Sequence, residues 1–315
     1  ETDLTYKPFM SSEILEALDD DQINVYRDVY RQLIAPVMKK ETPGMVGISI
    51  VQQKQIIPTF TFSKMIKEQF PNVHITIGGN IVTRIREELK TQVKLFGYLD
   101  SAILYEGENA YLRLVEAVEK GKSLVGLPNL IFRDDKGIHA NKDVCSEDLS
   151  KLPPPDFDGL ALKKYFVPKL ILPYLATRGC YWGRCTFCDH FQGYAEGFRT
   201  MQVDQIVEEI KFLKKKYNTR YFHFTDESYP PALFRKLSQR LIDEKLDIVW
   251  TTHMRFEETL LEEKVWNEAH ASGCRYLHFG FESGNQRVLK LMDKATKLDA
   301  IETNLRMSSE VGIWN

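Results

Sequence analysis

The sequence predicts an α/β protein of two domains, an N-terminal doubly wound parallel sheet followed by a partial (β/α) barrel. Three observations lead to this prediction. Short β-branched runs alternate with amphipathic helical patterns through both halves of the chain, which is typical of βαβ units. Pro153, Pro154 and Pro155 separate the halves, because proline neither continues a helix nor donates to a sheet. A length of 315 residues also favours two domains.

The first domain is expected over residues 1–140, followed by a linker at 141–168. Residues 11–38 have a helical pattern and no convincing strand precedes them, so we expect the first strand of the sheet to be missing. The chain begins with Glu1 and ends at Asn315, and we expect it to be truncated at both ends. Strands are predicted at 45–51, 73–77 and 101–105, helices at 57–69, 82–96 and 108–120, and a hairpin at 128–140.

Several residues of this half lie at or near the carboxyl ends of the predicted strands, where open parallel sheets bind ligands. They are Ser49, the turn Gly78-Gly79-Asn80, and Glu106. A glycine after a strand is more often a turn-former that contacts no ligand. Both interpretations therefore stay open on these residues alone.

The barrel domain is expected over residues 169–315. Four successive β/α units imply a barrel, whole or partial, because right-handed crossovers curl the sheet round. Strands are predicted at 170–176, 219–225, 247–253 and 275–281, and helices at 203–217, 231–244, 259–272, 285–293 and 298–311.

A loop with three cysteines follows the first of these strands. Cys180, Cys185 and Cys188 are spaced Cys-x4-Cys-x2-Cys, and three thiolates on one loop can hold a [4Fe-4S] cluster with one open iron. With His190 they could form a Cys3His zinc site instead, although Cys188 and His190 are closer than the usual zinc-knuckle spacing. The two other cysteines are distant in sequence, which disfavours a disulfide framework.

Functional side chains also follow the other three predicted barrel strands. They are Asp226 and Glu227, then Arg255, then Glu282 with Ser283. The active site of such a barrel lies at the C-terminal ends of its strands, so we expect these residues and the cysteines to share one site. The alternative is that the acidic residues and the serine only cap the helices that follow.

The composition argues against two classes of function. With 42 basic and 44 acidic side chains the net charge is −2, so no basic field predicts a nucleic-acid partner. No apolar run approaches the roughly 18 residues of a membrane span, and no signal segment opens the chain. We therefore expect a cytoplasmic protein, and a reducing compartment suits an oxygen-sensitive cluster.

These motifs resemble those of the radical S-adenosylmethionine (SAM) superfamily, specifically its branch with an N-terminal cobalamin-binding domain. The cysteine loop with Phe187 before its last cysteine, Phe-x-Asp-Glu at 224–227 and Gly-x-Glu-Ser-Gly at 280–284 carry the resemblance. The superfamily's commonest loop is Cys-x3-Cys-x2-Cys, and the extra residue between Cys180 and Cys185 also occurs in the cobalamin-linked branch. Phe187 would then pack against the adenine of SAM.

The resemblance implies that the three cysteines hold a [4Fe-4S] cluster whose open iron is chelated by the methionine amino and carboxylate groups of SAM. Asp226 and Glu227 would contact the amino group. Glu282, followed by Ser283, would meet the ribose hydroxyls, where an ionised carboxylate accepts both donors. Arg255 suits the SAM carboxylate, because its planar donor fork fits that partner.

For the first half, the resemblance implies a Rossmann-like cobalamin-binding domain. Ser49, Gly78, Gly79, Asn80 and Glu106 are its candidate cobalamin contacts, because the serine segment and the paired glycines match segments around the cofactor's nucleotide tail. The family's Asp-x-His-x-x-Gly motif, which supplies the lower ligand of cobalt, is absent from the sequence. Either that motif lies upstream or cobalt has no histidine ligand here.

The implied function is that of a radical SAM enzyme that cleaves SAM to a 5′-deoxyadenosyl radical. We interpret the chain as a cobalamin-dependent C-methyltransferase acting on an unidentified small-molecule or peptide substrate, with a low-potential electron donor such as flavodoxin or ferredoxin. One alternative is cyclisation, ring contraction or rearrangement without methyl transfer. An alternative of another class is a zinc-stabilised binding module.

Overall fold

The computed structural model describes residues 5–195 and 197–315, and the described chain forms two compact units. The first contains the described residues up to Glu147 together with Gln192–Ala195, and the second contains Asp148–Phe191 and residues 197–315. The division falls inside the segment 141–168 that the sequence suggests as a linker. Residues of that segment up to Glu147 belong to the first unit and the remainder to the second.

The first unit is built on a five-stranded sheet. Its first three strands are parallel neighbours in chain order, and a hairpin adds two antiparallel strands beside the third. The register of the first two strands pairs Ser49 with Gly78, at the carboxyl ends of both. The strands are β1 (Met45–Ser49), β2 (His74–Gly78), β3 (Ser101–Ile103), β4 (Leu130–Asp134) and β5 (Gly137–Ala140).

Two helical segments of this unit differ from the prediction. The helix expected at 11–38 is interrupted after Asp19, where the Asp20 carboxylate accepts the backbone N–H groups of Gln22 and Ile23; such local bonds compete with a helix. The helix expected at 82–96 is three short helices. The helices are α1 (Ser11–Asp19), α2 (Tyr26–Val29), α3 (Ala35–Glu41), α4 (Ile56–Gln69), α5 (Asn80–Arg84), α6 (Arg86–Leu89), α7 (Val93–Phe96) and α8 (Glu108–Glu119), with a π-helical turn at Tyr30–Ile34.

Helices cover both faces of this sheet. Ile75, Ile77 and Ala102 are buried in one core with residues of α1 and α4, whereas Ile103 is buried in another core with residues of α8. Because successive side chains of a strand point to opposite faces, α8 covers the face opposite to α1 and α4. The predicted α/β class is confirmed, although the described strands follow one another in chain order without a reversal.

The second unit is built on a four-stranded sheet. Its strands are all parallel and lie side by side in chain order, as consecutive strands of a (β/α) barrel do, which confirms the predicted partial barrel. A short antiparallel pair that the sequence did not predict flanks the cysteine loop. The strands are β6 (Ile171–Tyr174), β7 (Thr177–Arg178), β8 (Arg199–Thr200), β9 (Tyr221–Phe224), β10 (Val249–Met254) and β11 (Cys274–Phe279).

The helices of this unit pack on one face of its parallel sheet. Phe222, Trp250 and Leu277 point to that face and are fully buried with apolar residues of the helices. Side chains that alternate with them along the strands, among them His223, lie on the other face. No helix among the described residues is long and apolar enough to cross a bilayer. The helices are α9 (Val203–Tyr217), α10 (Pro231–Asp243), α11 (Glu263–Ala271), α12 (Gln286–Leu291) and α13 (Leu298–Glu310).

Candidate functional site

A cavity of about 490 Å³ opens in the second unit. Thr225 directly follows β9, Met254 ends β10 and Gly280 directly follows β11, and all three line the cavity. It therefore lies at the carboxyl ends of the strands, where barrel enzymes place their active sites. The predicted site residues that line it are Cys180, Cys185, Phe187, Cys188, Asp226, Glu227, Arg255 and Glu282.

The cysteine loop is held against the segment that follows α12. The Trp182 indole N–H donates to the carbonyl of Asp293 at 2.7 Å, and the backbone N–H of Thr186 donates to the carbonyl of Met292 at 3.0 Å. Gly183 has a φ of 59°, which glycine adopts without strain, so the loop can turn between its first two cysteines. These contacts fix the loop on both sides of its second cysteine.

The thiols of the loop are in an environment distinct from that of the other cysteines. Burial raises the pKa of the Cys185 thiol, and the positive charges of Lys294 and Arg255 oppose this effect. Outside the loop, Cys145 is exposed and Cys274 is fully buried. In the part of the chain that the structure describes, no three His, Cys, Asp or Glu side chains converge closely enough to hold one metal ion. In a [4Fe-4S] cluster each thiolate binds a different iron.

Asp226 is fully buried at the edge of this cavity. Its Oδ1 accepts the backbone N–H of Ala176 at 3.1 Å and the hydroxyl of Thr177 at 2.6 Å. Its Oδ2 is buried and has no hydrogen-bond partner within the described residues, and burial raises the pKa of this carboxyl to about 7. Asp226 thus ties the end of β9 to the segment that leads into the cysteine loop, and one oxygen remains for a donor from a ligand.

Two further residues of the cysteine loop, Phe187 and His190, line the same cavity. Phe187 lines it with a ring that is 54% exposed, so a flat apolar group could still cover that ring. His190 Nδ1 lies 3.0 Å from Oε2 of Glu227. The histidine that could complete a Cys3His zinc site is therefore paired with a carboxylate in this structure.

Arg255 presents unpaired donors to the cavity. Its guanidinium is buried, with its central carbon 4.0 Å from the centre of the Trp182 ring. One nitrogen, Nη2, donates to the carbonyl of Lys294. Nη1 is buried without a hydrogen-bond partner among the described residues, and buried Nε makes no hydrogen bond there but lies 3.7 Å from Oε1 of Glu257. Because unpaired buried donors are costly, this fork suits an anionic ligand group such as a carboxylate.

Glu282 and Lys294 form an ion pair beside the cavity, with Oε1 and Nζ 2.9 Å apart. Both line the cavity. Ser283 does not; its hydroxyl instead accepts the backbone N–H of Asn285 at 3.1 Å, before α12. No sequence motif pointed to Lys294, because it lies ten positions beyond the end of the Gly-x-Glu-Ser-Gly motif and does not follow a predicted strand.

Three histidines cluster on the face of the parallel sheet that the helices leave uncovered. The ring centres of His223, His253 and His278 are 4.8 to 5.8 Å apart, and His253 and His278 line the cavity. Burial, together with the charges of the neighbouring rings, lowers the pKa values of His223 and His253. Each of the three histidines is the next-to-last residue of its strand, and this shared position was the available sequence signal for the cluster.

In the first unit, the structure brings together most of the residues predicted to contact cobalamin. Ser49 is paired in register with Gly78, and Gly79 has a φ of 105° with no room for a side chain, because a Cβ there would lie 2.6 Å from the carbonyl oxygen of Ile50. Asn80 begins α5, and its Oδ1 is buried without a hydrogen-bond partner within the described residues.

Glu106, the remaining predicted cobalamin contact, is buried within the first unit. It is buried, its carboxylate accepts the backbone N–H of Glu147 at 3.1 Å, and its carbonyl accepts the side chain of Asn129. These bonds join the end of the β3 segment to the chain that leaves the unit. Glu106 therefore makes a structural contact within this unit, and its contact with cobalamin stays a prediction.

Comparison with known families identifies the second unit. Residues 174–315 match the family model described as the radical SAM superfamily. This part of the chain is similar to radical SAM domains. The match begins in β6 and contains the cysteine loop and all the lining residues of the cavity named above, so the resemblance predicted from the motifs is confirmed.

Similarity extends beyond the radical SAM domain to most of the chain. An uncharacterized methyltransferase of Pyrococcus horikoshii is 27% identical over 278 residues, which are 86% of this chain and 59% of that protein. An anaerobic magnesium-protoporphyrin IX monomethyl ester cyclase of Rubrivivax gelatinosus is 25% identical over 260 residues, 78% of this chain and 45% of that protein. The chain therefore spans about half the length of these relatives.

A solved structure has the same fold over most of the chain. It is the cobalamin-dependent S-adenosylmethionine radical enzyme OxsB with aqua-cobalamin and S-adenosylmethionine bound. The TM-score is 0.75 at 21% identity, with 89% of this chain and 41% of OxsB covered. The fold of this chain is thus shared with part of OxsB.

Proposed function

We propose that this chain is part of a cobalamin-dependent radical SAM C-methyltransferase that cleaves SAM to a 5′-deoxyadenosyl radical. The observation that carries the proposal is the cavity of the radical SAM domain. Three cysteines of one loop line it together with Asp226 and Arg255, whose buried Oδ2 and Nη1 atoms have no hydrogen-bond partner within the described residues. Unpaired acceptor and donor atoms beside a thiol cluster fit a zwitterionic ligand.

The residues fit a [4Fe-4S] cluster and SAM in chemical type. Cys180, Cys185 and Cys188 would hold the cluster, which would supply the electron that splits SAM. Asp226 offers an acceptor for the SAM amino group, and Arg255 a donor fork for its carboxylate. Glu227 and Glu282 offer further acceptors, and the exposed ring of Phe187 offers a surface for adenine. The protein's part is to bind SAM, orient it and exclude water.

The first unit would hold cobalamin, which would supply the methyl group. Ser49, Gly78, Gly79 and Asn80 would surround it, since Gly79 permits close backbone approach and the buried Asn80 Oδ1 lacks a donor in the described part of the unit. The names of the Pyrococcus relative and of OxsB, a methyltransferase and a cobalamin-dependent enzyme, support this assignment.

Anaerobic reconstitution tests the proposal. We expect a brown protein with about four irons and matching sulfide per chain, which releases 5′-deoxyadenosine from SAM when a low-potential donor such as reduced flavodoxin or ferredoxin is supplied. Label from methyl-labelled SAM should appear in a small-molecule or peptide product. A colourless protein with one zinc would instead support a zinc-stabilised binding module.

A second outcome of the same chemistry is cyclisation, ring contraction or rearrangement without methyl transfer. The similarity to the Rubrivivax cyclase favours it. Both outcomes release 5′-deoxyadenosine, so the position of the label separates them. Methylation requires labelled product, whereas cyclisation leaves the product unlabelled.

A further inference from the structure

Lys294 is a buried lysine at the cavity that neither the cysteines nor the predicted SAM contacts explain. It is 4% exposed. Its Nζ lies 2.9 Å from Oε1 of Glu282 and 5.9 Å from the centre of the Phe187 ring. Because a buried ammonium is costly unless it is paired, the ion pair with Glu282 is what keeps this charge at the site.

Glu282, the ion-pair partner of Lys294, has an unfavourable backbone conformation. Glu282 has a φ of 60°, in the left-handed region that residues with a side chain rarely adopt. Such a conformation persists where its surroundings fix it, and it is enriched at ligand sites. The Lys294 ammonium holds the carboxylate at the other end of this side chain.

Gly280 leaves the space that the Lys294 ammonium occupies. A Cβ at this position would lie 2.7 Å from Lys294 Nζ, which is closer than two non-bonded heavy atoms of this kind approach. The backbone N–H of Gly280 donates to the carbonyl of Met254 at 3.0 Å, so the glycine cannot move away freely. A side chain at position 280 would therefore require the end of the Lys294 side chain to shift.

The backbone of Lys294 makes hydrogen bonds to other parts of the site. The Lys294 carbonyl accepts from Nη2 of Arg255, and its N–H donates to the carbonyl of Leu289 at 3.1 Å. The two residues before it accept hydrogen bonds from the cysteine loop through their carbonyls. One residue thus connects the end of α12, Arg255 and Glu282 next to the cysteine loop.

We propose that Lys294 is a positioning residue of the cofactor site, which holds Glu282 in place for SAM and sets a positive charge beside Cys185. This inference rests on the proposed function. Local charge is one of the determinants of iron-sulfur potentials, and a positive charge favours the reduced, more negative cluster.

The test uses the full chain, reconstituted anaerobically as wild type, K294M, K294R and K290M. K294M removes the charge at similar length, K294R keeps it, and Lys290 is an exposed lysine of α12 that serves as the matched control. Iron content, the Kd for SAM by equilibrium dialysis, and the cluster midpoint potential by EPR-monitored titration are measured for each.

We expect K294M to bind as much iron as wild type, to have a Kd for SAM about tenfold higher, and to have a more negative midpoint potential. K290M should match wild type in all three, and K294R should retain the potential. A K294M protein with the wild-type Kd and potential would overturn the proposal.

Comparison of E282Q with E282Q/K294M separates an effect through Glu282 from a general loss of structure. The double variant also replaces K294M if that variant does not fold, because it removes both charges of the ion pair. In the E282Q background K294M should add little to the Kd for SAM but should still lower the potential. An equal additional loss of affinity would contradict the positioning role. If the wild type takes up no iron or binds no SAM, the proposed function fails first.

Discussion

The buried carboxyl of Asp226 can accept a hydrogen bond from a ligand, but its burial lowers the stability of the fold when it is ionised. Burial raises its pKa to about 7, so between pH 4 and pH 7 the folded chain binds more protons than the unfolded chain. Stability therefore falls as pH rises through this window. An ionised Asp226 with one unpaired oxygen awaits a cationic partner such as the SAM amino group.

We predict that D226N stabilises the cofactor-free chain at pH 8 by about 2 kcal/mol, because the amide keeps an acceptor for Thr177 and cannot ionise. At pH 4 the two proteins should be equally stable. Urea unfolding at both pH values measures this, and D135N, at an exposed hairpin position, is the control. A less stable D226N at pH 8 would show that the ionised form is favoured in the fold.

The histidine cluster gives a second prediction for single residues. Burial first, and the charge of His278 second, lower the pKa of His253 below its ordinary value of 6.5. H278Q should therefore raise the pKa of His253, while H139Q, in the other unit, should leave it unchanged. NMR titration of the imidazole proton signals measures both.

The lowered pKa of His253 also determines how this residue affects stability as the pH changes. Because the folded chain binds fewer protons at His253 than the unfolded chain, this residue lowers stability as pH falls below about 6.5, and H278Q should weaken that loss. An unchanged His253 pKa in H278Q would contradict the coupling of the rings.

At the scale of elements, helix α9 illustrates what the sequence pattern determines. Its stripe of Ile206, Val207, Ile210 and Leu213 is fully buried, as the 3.6-residue period predicts. Lys215 is exposed, and Lys216 is paired with Asp156 at 2.8 Å. Lys215 and Lys216 therefore lie on the polar face of this helix, opposite to the buried stripe.

We predict that L213A lowers the free energy of unfolding by about 2–5 kcal/mol, because it leaves a cavity in the core, whereas K215A changes it by less than about 0.5 kcal/mol. Denaturant unfolding followed by circular dichroism compares the two. A loss below about 1 kcal/mol for L213A would mean that α9 is not packed as described.

At the scale of the whole molecule, cluster binding should stabilise the fold, because a group that binds only the folded state shifts the unfolding equilibrium. We expect reconstitution to raise the Tm of the wild type and of C145A, whose substituted cysteine is exposed and outside the loop. C185A should show no such rise. Anaerobic thermal unfolding measures this, and a similar rise in C185A would place the metal elsewhere.

The sequence by itself determined the class of the fold, the order of its elements and the position of the cysteine loop. These depend on local signals: the periods of apolar residues, proline and glycine punctuation, and the spacing of Cys180, Cys185 and Cys188. The same local logic located Asp226, Arg255 and Glu282, because residues that follow parallel strands meet at one edge.

Only the tertiary structure decided how those side chains are used. It turned Glu106 into a buried contact, excluded Ser283 from the cavity and left Asp226 Oδ2 unpaired. It also brought in Lys294 and joined three histidines from separate strands. These outcomes depend on distances between residues far apart in sequence and on burial, which sets the cost of each charge, and neither quantity has a local signature in the chain.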